Sequence, residues 1–186
     1  PQPFDHTPST NDPIAMNPTT AVEPYIVSRE FDAPRDLLWK VNTDPEHMAK
    51  WFAPEGLTGS VKSMDFRVGG VFHYAQLTPD GKPAAWGRGV YKEITPKDRL
   101  VVLQSFSDEN GGIAAHPMAP TWPRVMHSAF TFTDLGNGRS KLTVEWLPSD
   151  DSSAEELAIF DGARAGMDGG WKGTFDQLAI YLNTVK

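Results

Sequence analysis

Five histidines, His6, His47, His73, His116 and His127, are the side chains of this sequence best suited to proton transfer or metal binding. Their spacing argues against a shared site. Neither H-x-x-x-H nor H-E-x-x-H occurs, and a zinc centre needs three or four converging ligands. His73 stands between Phe72 and Tyr74, and His127 between Met126 and Ser128, in strand-like runs. Strand alternation puts each on the face opposite those neighbours, so both are expected toward solvent. His116, in the segment HPMAP, is open to a pH-responsive or acid–base role.

Other reaction chemistries find little support. With no cysteine there is no thiol nucleophile, thiolate-bound metal or disulfide. No G-x-S-x-G elbow, G-x-x-x-x-G-K-S/T loop or G-x-G-x-x-G turn is present. Gly87 and Gly89 lie inside a strand-like run, where the expected role is to let the last helix approach. The acidic pairs Asp150–Asp151 and Glu155–Glu156 stand at the start of that helix, where its dipole favours negative charge. Glu145, between Val144 and Trp146, is expected to face water. No catalytic residue is assigned, and neither a cofactor nor a metal is expected.

The elements that would position these residues follow from periodicity. Tyr25, Val27 and Phe31 alternate with Ser28, Glu30 and Asp32, as in a half-buried strand. Pro34, at a first helical position, opens a short helix carrying Leu37, Leu38 and Val41. A second helix starts at Asp44 as N-cap, with Pro45 and Glu46 in its first turn and Met48, Trp51 and Phe52 on its apolar side. Strands are predicted over 57–68, 70–78, 84–95, 99–107, 124–134 and 140–148, separated by Gly, Pro, Asn and Asp turns as in an antiparallel meander. The longer connection Asp108–Pro123 is a candidate pocket lid or an inert insertion. After Pro148 the period becomes helical: Leu157, Phe160, Met167, Trp171, Phe175, Leu178, Leu182 and Val185 form one stripe about eight turns long. Gly162, Gly166, Gly169, Gly170 and Gly173 interrupt it at a cost of about 1 kcal/mol each against alanine. Either the helix begins nearer Met167, or close packing on a sheet requires small residues there.

Composition bounds the rest. A chain of 186 residues, 39% hydrophobic, fits one domain over 25–186. The Pro-rich segment 1–24 is expected to be a disordered or strap-like tail. A formal net charge of −7 without basic runs argues against nucleic acid as a partner. No apolar run approaches a membrane span, and no signal-peptide pattern opens the chain, so the expectation is no membrane partner and a cytoplasmic location. Exposed residues of a meander edge could support a homodimer, with no register readable.

Taken in order, the cassettes FDAPRDLLWKVNTDPEHMAKWFAPEG (31–56), MDFRVGGVFHY (64–74), GRGVYKEITPKDRLV (87–101), AFTFTDLGNGRSKLTVEW (129–146) and GWKGTFDQLAIYL (170–182) resemble the START-like (SRPBCC, Bet v I-like) helix-grip superfamily. Within it they are similar to the family related to the C-terminal domain of the Hsp ATPase activator (AHSA-like). The resemblance implies an α+β fold in which a curved antiparallel seven-stranded sheet grips a long C-terminal helix around an apolar cavity, with two short helices after strand 1. It brings no reaction with it.

Such a sheet has more inward apolar area than one helix covers, so part of an aromatic-rich set should face a void. The ligand-binding residues expected on this basis are Trp51, Phe72, Tyr74, Trp86, Gln104, Phe106, Met126, Phe130, Trp146, Met167 and Trp171. Gln104, polar among Val101, Val102, Leu103 and Phe106, is the first choice for an oriented hydrogen bond. The function expected is binding of a small, largely apolar or aromatic molecule. The alternatives are a cyclase, lyase or hydrolase using Tyr74, Gln104 or His127 in the same cavity, and a co-chaperone stimulating an Hsp ATPase. Activators of that last kind carry an additional N-terminal domain, for which the 24-residue tail is a poor substitute.

Overall fold

The computed structural model of the protein describes residues 22–186. β1 (Tyr25–Phe31) buries Tyr25 and Phe31, and α1 (Arg35–Thr43) follows with Leu38 and Val41 inward. Pro34 is the N-cap of α1 and not its first helical residue, because its ψ of 150° is extended. In α2 (Pro45–Trp51) the Asp44 carboxylate accepts from the backbone N–H groups of Glu46 and His47 at 2.9 and 3.4 Å. The cap satisfies two amides the helix cannot.

Six further strands complete the sheet: β2 (Thr58–Met64), β3 (Val71–Leu77), β4 (Pro83–Thr95), β5 (Arg99–Ser107), β6 (Met126–Gly136) and β7 (Arg139–Pro148). All pairings are antiparallel, in the order β1-β7-β6-β5-β4-β3-β2. The tight β6–β7 turn runs through Gly136, Asn137 and Gly138, all at positive φ; glycine takes that conformation without a Cβ penalty. Register shifts at Val61/Ser63, Gln76/Leu77, Tyr91/Glu93 and Asp134/Gly136 mark bulges, which bend strands and help the sheet curl.

The C-terminal stripe is divided between two helices. α3 (Ala154–Gly162) opens on a capping box between Ser153 and Glu156, and α4 (Arg164–Thr184) begins after a break at Ala163. The expected single helix of eight turns is thus two, since Gly162 is a poor helix former at the junction. The apolar positions still fall inward: Phe160, Met167, Trp171, Phe175, Leu178 and Leu182 are all buried. Burying a Leu or Phe side chain is worth about 1.5–3 kcal/mol, so this stripe anchors α4 along the concave face.

The tail expected over 1–24 lies, for residues 1–21, outside the described residues. Val22 packs against the core, and the backbone carbonyls of Glu23 and Pro24 accept from the Arg164 guanidinium. The start of α4 is also tied to β1, where the Tyr25 hydroxyl donates to Asp168 at 2.7 Å.

Candidate functional site

Between the concave face, the end of α2, the loop 108–125 and the first turns of α4 lies a cavity of about 580 Å³. Register explains which strand residues reach it. Tyr74, Gly87 and Phe106 lie side by side across β3, β4 and β5, and Phe72, Gly89 and Gln104 form the next row. Met126 pairs with Gln104, and Trp146 pairs with Ser128 on the same face. Met167 and Trp171 come down from α4, one turn apart.

Eight of the eleven residues singled out from sequence border the cavity: Tyr74, Trp86, Gln104, Phe106, Met126, Trp146, Met167 and Trp171. Trp86 does so from the rim, because its ring lies on the outer face against His73, with centroids 5.2 Å apart, and beneath the Lys62 ammonium. Trp51, Phe72 and Phe130 do not line it. They are 3, 4 and 8% exposed and pack in the core. Trp51 donates its indole N–H to the Val41 carbonyl at 2.9 Å, which joins α1 to α2.

Gln104 is on the inner face, where its Oε1 accepts from the Ser128 hydroxyl at 2.6 Å. Tyr74 leans over strand β4: a Cβ built on Gly87 would stand 2.4 Å from its Cζ and 2.5 Å from its hydroxyl oxygen. A Cβ on Gly89 would collide with Val102 at 2.5 Å. The two glycines therefore make room for neighbouring strand side chains, and not for the last helix as the sequence suggested. Burial pushes the Tyr74 phenol up to about 12, so it remains a protonated hydroxyl at neutral pH.

Two walls, Phe52 and the glycines of α4, escaped sequence reasoning, and a third, the loop, reads there only as a candidate lid or an inert insertion. Phe52 stacks edge-on to Tyr74 at 5.2 Å. The loop 108–125 contributes His116, Pro117, Met118, Trp122 and Pro123, so it forms part of the cavity wall. Its length and prolines were the available signal. Gly166 and Gly170, one helical turn apart, also border the cavity, and a Cβ on either would meet nothing within 4 Å. Neither sequence explanation for them holds: α4 has begun by Arg164, and the glycines face space.

His116 is held by its loop. Its Nδ1 accepts from the backbone N–H groups of Met118 and Ala119, each at 3.0 Å, and its ring lies 4.4 Å from that of Phe106. Accepting at Nδ1 places the proton on Nε2. Desolvation holds the imidazole below its ordinary range, which keeps it neutral. His73 departs from the solvent-side expectation. It points to the outer face but is only 6% exposed, since the turn after β5 covers it and its Nε2 meets the Asp108 carbonyl at 3.1 Å. His127 is exposed on that outer face and so stands apart from the cavity. Glu145 is half-buried there, facing away from Val144 and Trp146. Among the described residues no cluster of three or more His, Asp or Glu could hold a metal, and no helix is long and apolar enough to cross a membrane.

Comparison with known proteins agrees with this architecture. The family model described as Activator of Hsp90 ATPase homolog 1-like protein matches residues 32–183. A solution structure of a protein from Arthrobacter aurescens is similar with a TM-score of 0.70 and 25% identity, covering 88% of this chain and 87% of that one. A protein from Mycobacterium smegmatis gives a TM-score of 0.68 at 23% identity, over 86% and 90% of the two chains. One from Silicibacter pomeroyi gives 0.64 at 17%, over 88% and 100%. No curated protein matches the chain.

Proposed function

The chain belongs to the Activator of Hsp90 ATPase homolog 1-like family, and from that premise we propose that it binds a small, largely apolar or aromatic molecule in the cavity between sheet, loop and α4. The observation that carries this reading is the wall itself. A volume of about 580 Å³ is bordered by Phe52, Tyr74, Phe106, Trp122, Trp146 and Trp171, with Met126 and Met167 between them. That size and composition suit an organic ligand, because apolar surface and a few placed polar groups supply both affinity and orientation. The bare positions Gly166 and Gly170 support it further. Each glycine costs helix stability, and both stand exposed at the border of the cavity, where no side chain narrows its opening.

A thermal-shift screen over aromatic acids, polyketides and lipids tests the proposal. Binding to the native state alone stabilises by about 2.7 kcal/mol at a ligand concentration of 100 Kd, so a matching compound raises Tm by several degrees. A panel without one stabilising member ends the proposal. The role in the family's description, activation of an Hsp90 ATPase, requires faster ATP turnover with no small molecule added, and that assay separates the two readings.

A further inference from the structure

The polar atoms that reach the cavity are unevenly divided between donors and acceptors. At Gln104, Oε1 is already occupied by the Ser128 hydroxyl, which leaves the Nε2 amide group to donate. At His116, Nδ1 is occupied by two backbone N–H groups, which leaves Nε2–H. The Thr174 hydroxyl proton is committed to the Gly170 carbonyl at 3.0 Å. The Tyr74 hydroxyl has no hydrogen-bond partner among the described residues, and Tyr74 lines the cavity. Gln76, two residues further along β3, keeps an amide oxygen with no partner among the described residues, and the Thr174 oxygen can still accept.

Three of these donors gather around one ring. Phe106 lies across Gly87 from Tyr74, whose hydroxyl stands over that glycine. Gln104 precedes Phe106 by two residues on the same face of β5, and His116 packs on the Phe106 ring at 4.4 Å. No Asp, Glu, Lys or Arg borders the cavity. A charged group placed in the cavity would thus give up its hydration with no counter-charge in return.

We propose that the guest is an uncharged aryl ketone or quinone whose carbonyl oxygen is received by the Tyr74 hydroxyl and the Gln104 amide beside Phe106, its rings lying among Trp146, Met167 and Trp171. This rests on the binding reading above and narrows it: the free donors call for a neutral acceptor, which one carbonyl oxygen with two lone pairs supplies to both, and the wall around it is mainly apolar. An unpaired buried donor is costly to leave, so an otherwise identical guest without the carbonyl forfeits that pairing.

Titration of tryptophan fluorescence with three probes of one shape tests the inference. Xanthone carries the carbonyl, xanthene lacks it, and xanthone-2-carboxylate adds a charge. Xanthone is expected to bind about ten-fold or more tighter than either, the discrimination that a net hydrogen bond to a neutral group supplies. Gln104→Leu and Tyr74→Phe should each bring the xanthone affinity toward that of xanthene while leaving xanthene unchanged, a change that loss of folding would not produce. Equal binding of xanthone and xanthene overturns the carbonyl assignment while leaving the cavity-binding reading in place. Tightest binding of the carboxylate overturns the neutral class. If none of the three binds, the inference fails, and the broader screen decides the binding reading independently.

Discussion

Ser128 and Gln104 occupy neighbouring strands, and the wholly buried serine hydroxyl donates to the glutamine Oε1 at 2.6 Å. One short side chain under the sheet surface thereby fixes the orientation of the polar group above it. Ser128→Ala removes the donor and strands the amide oxygen in an apolar setting. The expected loss is about 1–2 kcal/mol in urea denaturation, with the m-value unchanged. Wild-type stability in the variant would show that the bond does not hold the amide.

Gly166 and Gly170 separate stability from binding. Alanine at either position meets no atom within 4 Å and removes a helix penalty of about 1 kcal/mol, so each variant should melt roughly 2–4 °C higher. Gly170→Leu should keep the fold but fill part of the cavity, lowering affinity for the most stabilising compound of the screen about ten-fold or more. If Gly170→Leu binds that compound as wild type does, the space beside α4 is not where ligands go.

Tyr74 gives the fold a pH dependence in alkali. Its phenol is raised from 10.0 to about 12 by desolvation, so the folded state holds this proton more tightly than the unfolded chain. The stabilisation is complete below pH 10 and is lost as pH rises through about 12, with a slope of about 1.4 kcal/mol per pH unit. Tyr91, also raised by burial, adds to it. Tyr74→Phe should flatten the fall in stability between pH 10 and 12 by chemical denaturation. An unchanged slope would contradict the assigned environment.

His116 acts in the opposite sense. Its pKa is lowered from 6.5 by desolvation, so its contribution is present above pH 6.5 and is lost as pH falls through the folded value. Protonation of Nδ1 breaks both backbone bonds, to Met118 and Ala119. Nitrogen-15 NMR of the imidazole should show a bare Nδ1 and a protonated Nε2 at pH 7, with a midpoint below 6.5. A midpoint at or above 6.5, or the reverse tautomer, would remove the loop geometry described for it.

The fold was legible because its signals are local and repeat. Alternation in Tyr25–Phe31 and the stripe from Phe160 to Leu182 bury the residues they mark, and the Gly, Pro, Asn and Asp turns fall between the strands. The cavity was legible only in part. Tyr74, Gln104 and Phe106 follow from strand parity, but Phe72 and Phe130 share that inner face and are packed in the core. Parity tells which face a residue takes, not whether something covers it. Coverage comes from elements distant in sequence: the loop that bears His116 and Trp122, and the turn that buries His73 on the outer face. Gly166 and Gly170 misled for a related reason, since a missing side chain reads alike in sequence whether it admits a neighbour or leaves a void.

The most direct measurement is a crystal structure of the protein with the most stabilising compound from the screen. The expected result is density for that molecule beside Gln104 and Phe106, beneath Trp171, with the backbone of the sheet unmoved. Density for the compound only elsewhere, with Trp171 or the 108–125 loop collapsed into the space described here, would contradict a ligand-binding cavity in this chain.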